Sequence, residues 1–299
     1  MTSIFSLSIV QSALELGFIY SLVALALFIS FSILNIADLS TDGCFTLGCA
    51  VGAMVTMAGH PVLALFAAML AGICSGYVTA FLQTKMGVES ILAGIIVNTG
   101  LYTINIAVMG FASNVNLFGC DTLFSMAKES IGGEWYKLLI VAIIVVVIGL
   151  ILAYFLNTRL GLSIRATGDN ADMVRASSIN PGFTITVGLC VSNSLTALSG
   201  GILAQYQKSC DINLGTGMVT IALASLIIGE TLIGKGSVIR RLLGVVIGSC
   251  LYRFIVALAL RLNIPAECLK LVSAIIVAVA IAFPYLQKKA AALKQRRCS

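Results

Sequence analysis

The chain has 299 residues, of which 59% are hydrophobic and only 10% are charged. Because soluble domains carry about 25% charged residues, this composition excludes a water-soluble protein and indicates an integral membrane protein. Lysine and arginine outnumber aspartate and glutamate, 18 to 12, so cations are available to set the orientation of the chain in the membrane.

Nine apolar segments follow one another along the chain. Because a spanning helix needs about 20 apolar residues and lipid offers backbone groups no hydrogen-bond partners, we expect helices rather than strands. Residues 7–10 either extend the first helix or form a separate interfacial turn, which would make ten. The predicted fold is an all-α, polytopic transmembrane helix bundle of nine or ten spans over residues 1–286. The nine segments are 16–34, 45–57, 62–82, 91–109, 138–156, 183–206, 219–233, 242–262 and 269–285.

Two of these segments, 45–57 and 219–233, are shorter than a bilayer and rich in glycine or small residues. Such segments are typical of broken or buried helices that line a pathway. Two GxxxG pairs, Gly48 with Gly52 and Gly72 with Gly76, predict close packing between helices.

The only long polar run inside the chain is 157–182. Either Asp169 or Asn170 can cap a short helix over 171–178, and Asn180 followed by Pro181 is expected to end it. The sequence therefore predicts a short helix exposed to water between two spans. The simplest use of such a helix is as a contact for another protein.

The distribution of cations predicts the orientation. If every second loop is cytoplasmic, most of the 18 lysine and arginine residues lie on the cytoplasmic side, as the positive-inside rule requires. The opening loop and the basic tail, 287–299, are then cytoplasmic. The cytoplasmic cations outside the tail are Lys85, Arg159, Arg165, Arg175, Lys235, Arg240 and Arg241.

Polar residues within the spans are candidates for the wall of a solute path, because burying them in a membrane is costly. Asn98, Asn193 and Ser225 suit such a wall, and hydrogen bonding between helices is the alternative for the asparagines. Arg253 lies inside a span and is expected to need a partner, either a carboxylate or backbone carbonyls, unless it extends to the interface. Glu230 is either an interfacial charge or a second contact to a cytoplasmic partner.

Several classes of function lack the residues they need. The sequence has neither a GxxxxGK[ST] motif nor a GxGxxG between a strand and a helix, so the chain is not expected to hydrolyse ATP itself. With His60 as its single histidine and no CxxC among its nine cysteines, it lacks a catalytic triad and a metal cluster. We therefore predict no enzyme activity, no cofactor, no metal and no nucleic-acid partner.

Several separated stretches together carry a family resemblance. They are, in chain order, the loop GLSIRATGDNADMVRASSINPG, SNSLTALSGGILAQYQ, GMVTIALASLIIGE and RRLLGVVIGSCLYRFIVALALRL. Together they resemble permease subunits of bacterial ABC importers, in the group that includes branched-chain amino acid and ribose permeases. The stretch ILNIADLSTDGCFTLGCAVGA and the run ATGDN resemble the tryptophan and tyrosine branch.

This resemblance implies a transmembrane subunit of the bacterial cell membrane that works as a pair. Its implied partners are two cytoplasmic ATPase subunits and an extracellular or periplasmic solute-binding protein, and its implied solute is an aromatic amino acid. The alternative, an ion-coupled secondary transporter, would need ionisable residues within the membrane. By similarity, the loop is the coupling segment that docks on the ATPase, with contacts from Arg165, Gly168, Asp169, Asn170, Ala171, Asp172 and Arg175.

Overall fold

The computed structural model describes residues 7–131, 135–234 and 236–261, with five isolated positions further along. Helices make up most of this part of the chain. The first group of elements is α1 (Leu7–Leu27), a π-helical turn (Phe28–Ile33), α2 (Thr41–Met57), α3 (Pro61–Thr84), α4 (Ser90–Val108), β1 (Asn114–Asn116) and α5 (Leu123–Ile131). The second group is α6 (Tyr136–Asn157), α7 (Arg159–Asp169), α8 (Ala171–Ala176), α9 (Pro181–Gln207), β2 (Ser209–Asp211), α10 (Met218–Ile233) and α11 (Val238–Arg261).

The predicted polytopic helix bundle is confirmed. Among the described residues, six helices are long and apolar enough to cross a membrane, and α2 and α10 are shorter apolar helices. The six are α1 with its π-helical turn, α3, α4, α6, α9 and α11. These eight coincide with the first eight predicted segments, including the two short ones. Helix α1 begins at Leu7, so residues 7–10 extend the first helix. The ninth segment, 269–285, and the tail, 287–299, lie almost wholly outside the described residues.

Helix α9 lies at the centre of the bundle, packed against α1, α2 and α3. Both predicted GxxxG pairs make this possible. A Cβ atom at Gly48 would overlap the carbonyl oxygen of Ala197, and one at Gly72 would overlap that of Asn193. The absence of side chains therefore lets the backbones of α2 and α3 approach that of α9 closely, as the sequence predicted.

Hydrogen bonds from α9 hold it against α1. The hydroxyl of Ser192 donates to the carbonyl oxygen of Ala26 at 2.8 Å, and that of Ser199 donates to Ile19 at 2.7 Å. These contacts run in opposite order along the two helices, so α1 and α9 are antiparallel. Following the charge-based prediction, we call the end of the bundle that carries 157–182 the cytoplasmic end and the opposite one the outer end.

The outer end contains structure that the all-α prediction lacks. Strands β1 and β2 pair antiparallel, with Asn114 opposite Asp211 and Asn116 opposite Ser209. The buried side chain of Gln205 holds this end together, since it accepts from the backbone of Leu123 at 2.9 Å and donates to that of Pro61 at 2.8 Å. Three-residue strands give no alternating pattern to recognise in a sequence, which is why they were missed.

Candidate functional site

The polar run 157–182 forms two helices, where the sequence predicted one. Thr158 caps α7, with its hydroxyl accepting from the backbone of Gly161 at 3.3 Å. Asn170 then caps α8 by accepting from the backbones of Asp172 at 3.0 Å and Met173 at 3.1 Å, so of the two predicted caps it is the one used. Asn180 and Pro181 begin α9 rather than simply ending α8, because the Asn180 side chain accepts from Gly182 at 2.9 Å.

The charges on α8 are exposed. Arg175 and Asp172 form an ion pair of 3.5 Å, with side chains 72% and 92% exposed respectively. Such a pair contributes little to stability, so both charges are free to bind elsewhere. Asp169 is also exposed, whereas Arg165 and Ala171 are half-buried. The segment thus presents a small charged surface at the cytoplasmic end.

The same segment is attached firmly to the end of α1. A Cβ atom on Gly168 would overlap the carbonyl oxygen of Ile33. Asn35, in the left-handed conformation with φ 55°, donates from its side chain to the Gly168 carbonyl at 2.9 Å. On the other side, the hydroxyls of Thr167 and Thr184 are 2.7 Å apart. A force applied to α8 would therefore reach α7, the π-helical turn of α1 and the start of α9.

A second charged cluster lies at this end, around Glu230. Its carboxylate accepts from Arg241 at 2.6 Å and from the Ser32 hydroxyl at 2.8 Å, and the Arg241 guanidinium lies 4.7 Å from the ring centroid of Phe28. The Glu230 side chain is only 18% exposed. The cluster ties α1, α10 and α11 together close to the segment that carries α7.

An unwound stretch, 34–40, separates the π-helical turn from α2. Within it the buried carboxylate of Asp38 accepts from the backbone and hydroxyl of Ser40, at 2.9 and 2.6 Å, and from the side chain of Asn193 at 2.9 Å. Asn193 lies near the middle of α9, so this carboxylate lies deep in the bundle. The amide oxygen of Asn193 and the hydroxyl of Ser75 are buried without a hydrogen-bond partner among the described residues.

A second irregular stretch, 212–217, enters from the outer end and meets the first turn of α2. The carboxylate of Asp42 accepts from the backbones of Gly217 and Val219, each at 2.9 Å. Thr46 accepts from the backbone of Gly215 at 3.1 Å. Asp42, on α2, thus supplies the cap for α10, and the N-termini of the two short helices meet inside the bundle. This is the broken-helix arrangement that the short apolar segments predicted.

The three predicted path residues lie at separate places. Asn193 is buried beside Asp38. Ser225 is buried where α10 meets α11, with its hydroxyl donating to Ile221 in its own helix at 2.8 Å. Asn98 is half-buried on α4, where its side-chain oxygen faces Gly43 of α2.

Sequence reasoning missed three carboxylates inside the bundle: Glu15 and Asp38 are buried and Asp42 is half-buried. Asp38 and Asp42 lie just before the short apolar segment 45–57, and that position was the signal that could have identified them. Glu15, 3% exposed, accepts from the Tyr206 hydroxyl at 2.7 Å near the outer end. Arg253 does have a partner, but it is the ring of Tyr20, with the guanidinium 3.6 Å from the centroid, rather than the carboxylate or carbonyls expected.

These features define a class of protein. A bundle of apolar helices with two short helices meeting at its centre is typical of a membrane transporter. The comparisons with known proteins agree. Residues 9–282 match the family described as branched-chain amino acid transport system, permease component, and the chain belongs to that family of ABC transporter permeases. It is a multi-pass protein of the bacterial cell membrane, that is, the inner or cytoplasmic membrane.

Two relatives indicate the range of the family. The chain is 35% identical to the tyrosine transport system permease protein of Clostridioides difficile over 267 residues, which cover 89% of this chain and 88% of the relative. It is 28% identical to the ribose import permease protein RbsC of Escherichia coli over 222 residues, covering 70% and 66% of the two chains. No solved structure matches the chain significantly.

Proposed function

We propose that this chain is the membrane subunit of an ATP-driven importer that carries an aromatic amino acid into the cell. The observation that carries the proposal is the near full-length similarity to a tyrosine transport permease, together with an exposed, charged helix attached to the end of α1. Two copies of the chain would form the path, and a solute-binding protein would deliver the solute at the outer end.

The coupling segment is proposed to bind a cytoplasmic ATPase subunit through Arg165, Asp169, Asn170, Asp172 and Arg175. Gly168 and Ala171 carry no charge and would contribute through close packing. At Gly168 the end of α1 leaves no room for a side chain. When ATP closes the ATPase pair, the movement of α8 would pass through α7 to α1 and α9. That movement pumps solute only if ATP and the loaded binding protein favour different states of the bundle.

The solute path is proposed to pass Asn98, Asn193 and Ser225. Since Asn193 and Ser225 are buried, passage requires the helices around them to move apart, and we propose the contact of α2 with the start of α10 at Asp42 as one place of opening. Glu230 is proposed as the second cytoplasmic contact. Paired with Arg241, it would transmit movement to α10 and α11.

Charge reversal tests the coupling role. We expect Asp169→Lys together with Arg175→Glu to abolish ATP-dependent uptake of radiolabelled tyrosine in proteoliposomes holding the natively purified complex, and to lower co-purification of the ATPase. Insertion should be unchanged, because both side chains are exposed. Lys128→Glu, an exposed charge at the outer end, is the control for ATPase binding. Normal uptake in the double variant would reject the coupling role, and uptake driven by an ion gradient alone would favour a secondary transporter.

A further inference from the structure

Helix α4 has an unusual outward face. Its inward face, which includes Val97, Leu101 and Asn105, is buried against α2. Opposite these residues, in the middle of the helix, lie Thr99, Tyr102 and Thr103, which form what we call the α4 polar face. All three are exposed, and Tyr102 is 53% exposed.

Hydrogen bonding on this face is incomplete among the described residues. The Thr99 hydroxyl donates to Ile95 in its own helix at 2.8 Å. The hydroxyls of Tyr102 and Thr103 have no hydrogen-bond partner within 7–131, 135–234 or 236–261. A hydroxyl left without a partner in hydrocarbon is costly, so this face is poorly suited to lipid.

Helix α6 provides the contrast, because it too lies at the edge of the bundle. The outward residues in its middle are aliphatic throughout. A groove of about 380 Å³ between α6, α3 and α9 is also lined almost entirely by apolar atoms. This is the surface expected of a helix in contact with lipid, and the exposed residues that form it are Ile143, Val146, Val147, Leu150 and Ile151.

The position of α4 favours water over another protein as the neighbour of its polar face. Helix α4 covers the unwound stretch before α2: a Cβ atom on Gly94 would lie 2.7 Å from the backbone nitrogen of Leu39, and Asn105 donates to the carbonyl of Gly43 at 3.1 Å. Irregular backbone at membrane depth occurs where it lines a cavity or is buried in protein. Tight contacts between spanning helices usually place small residues, threonine included, at their centre, but the tyrosine of the α4 polar face is bulky and projects outward.

From this arrangement we infer that the α4 polar face borders the aqueous translocation path, with Tyr102 as a contact for the passing solute. The inference rests on the proposed transport function and extends its path beyond Asn98, which lies at the edge of the same face. A tyrosine ring with a free hydroxyl can stack on an aromatic solute and hydrogen-bond to it without holding it tightly.

Thiol accessibility tests the inference without requiring transport. T99C, Y102C and T103C would be treated in native membranes with a charged methanethiosulfonate, and modification would be followed peptide by peptide by mass spectrometry, so the natural cysteines do not interfere. Because the reagent is confined to water and reacts with the thiolate, we expect labelling at least about tenfold faster than for V146C and L150C, the matched positions on α6.

Each outcome decides the question. Fast labelling at two or more of the three positions supports the inference. Labelling as slow as at the α6 positions overturns it in favour of lipid. Slow labelling combined with an oxidant-induced disulfide between two copies of Y102C or T103C overturns it in favour of a contact between permeases. If the unmodified complex shows no ATP-dependent tyrosine uptake but labelling is fast, the proposed function fails while the aqueous face stands.

Discussion

Helices α9 and α6 are both long enough to cross the membrane, yet they sit in opposite surroundings. In α9 83% of the most apolar stretch is buried inside the protein, and in α6 only 22%. Helix α9 carries Ser192, Asn193 and Ser199, whereas the exposed face of α6 is aliphatic. The more polar helix forms the core because only the protein interior supplies hydrogen-bond partners, while lipid accepts the more apolar helix without cost.

The largest effect is expected from a bulky residue where α3 meets α9. Gly72→Leu would force a side chain into the backbone of Asn193, and we expect a loss of several kcal/mol, beyond the roughly 1–3 kcal/mol of ordinary overpacking, and little folded protein. Gly149→Leu is the matched control on α6, because a Cβ atom there meets nothing within 4 Å. Thermal unfolding in detergent measures both. Equal stability of the two variants would contradict the central position of α9.

A charged substitution distinguishes a helix face in contact with lipid from one in contact with water. Val147→Lys on α6 should cost about 2.5–3.5 kcal/mol, the penalty for lysine at the centre of a spanning helix. Thr99→Lys, which like Val147 lies at the midpoint of its helix, should cost much less if the α4 polar face meets water. Membrane insertion and the yield of folded protein measure the difference. Similar losses in both variants would place α4 in lipid beside α6.

Removing the Asp38 carboxylate should weaken the contact between α9 and the unwound stretch before α2. Asp38→Ala leaves buried donors on Ser40 and Asn193 without an acceptor, and each such group costs about 1–3 kcal/mol. Asp38→Asn should lose less, since one side-chain oxygen remains. Stability is read from thermal unfolding, with Asp121→Ala, an exposed outer-end carboxylate, as the control. An Asp38→Ala protein as stable as that control would contradict this role.

The smallest effect is expected from a single hydrogen bond between helices. Ser199→Ala removes the bond from α9 to Ile19 of α1, and such bonds in membrane proteins average about 0.6 kcal/mol. Ser225→Ala is the matched change, because its hydroxyl bonds only within its own helix, and it should shift unfolding less. A larger loss for Ser225→Ala would show that bonding between helices is not what Ser199 supplies.

Much of the architecture follows from local sequence. Apolar runs located eight helices, because lipid leaves the backbone few alternatives to a helix. Glycine spacing identified the close contacts at Gly48 and Gly72. The charges of 157–182 predicted a segment exposed to water. Asn170 was one of its two predicted caps, because capping depends on neighbours only two or three residues away.

The candidate site could not be predicted in the same way, because its partners are far apart in sequence. Asp38 meets Asn193, Asp42 caps a helix that begins at Met218, and Arg253 lies on the ring of Tyr20. The sequence indicates that each of these polar groups needs a partner, but it does not identify that partner. The sequence alone therefore determined that the chain crosses the membrane, where it does so and where it meets water. Tertiary structure decided which polar groups meet inside and which helix faces point outward, because those depend on how the helices pack rather than on the residues of any one helix.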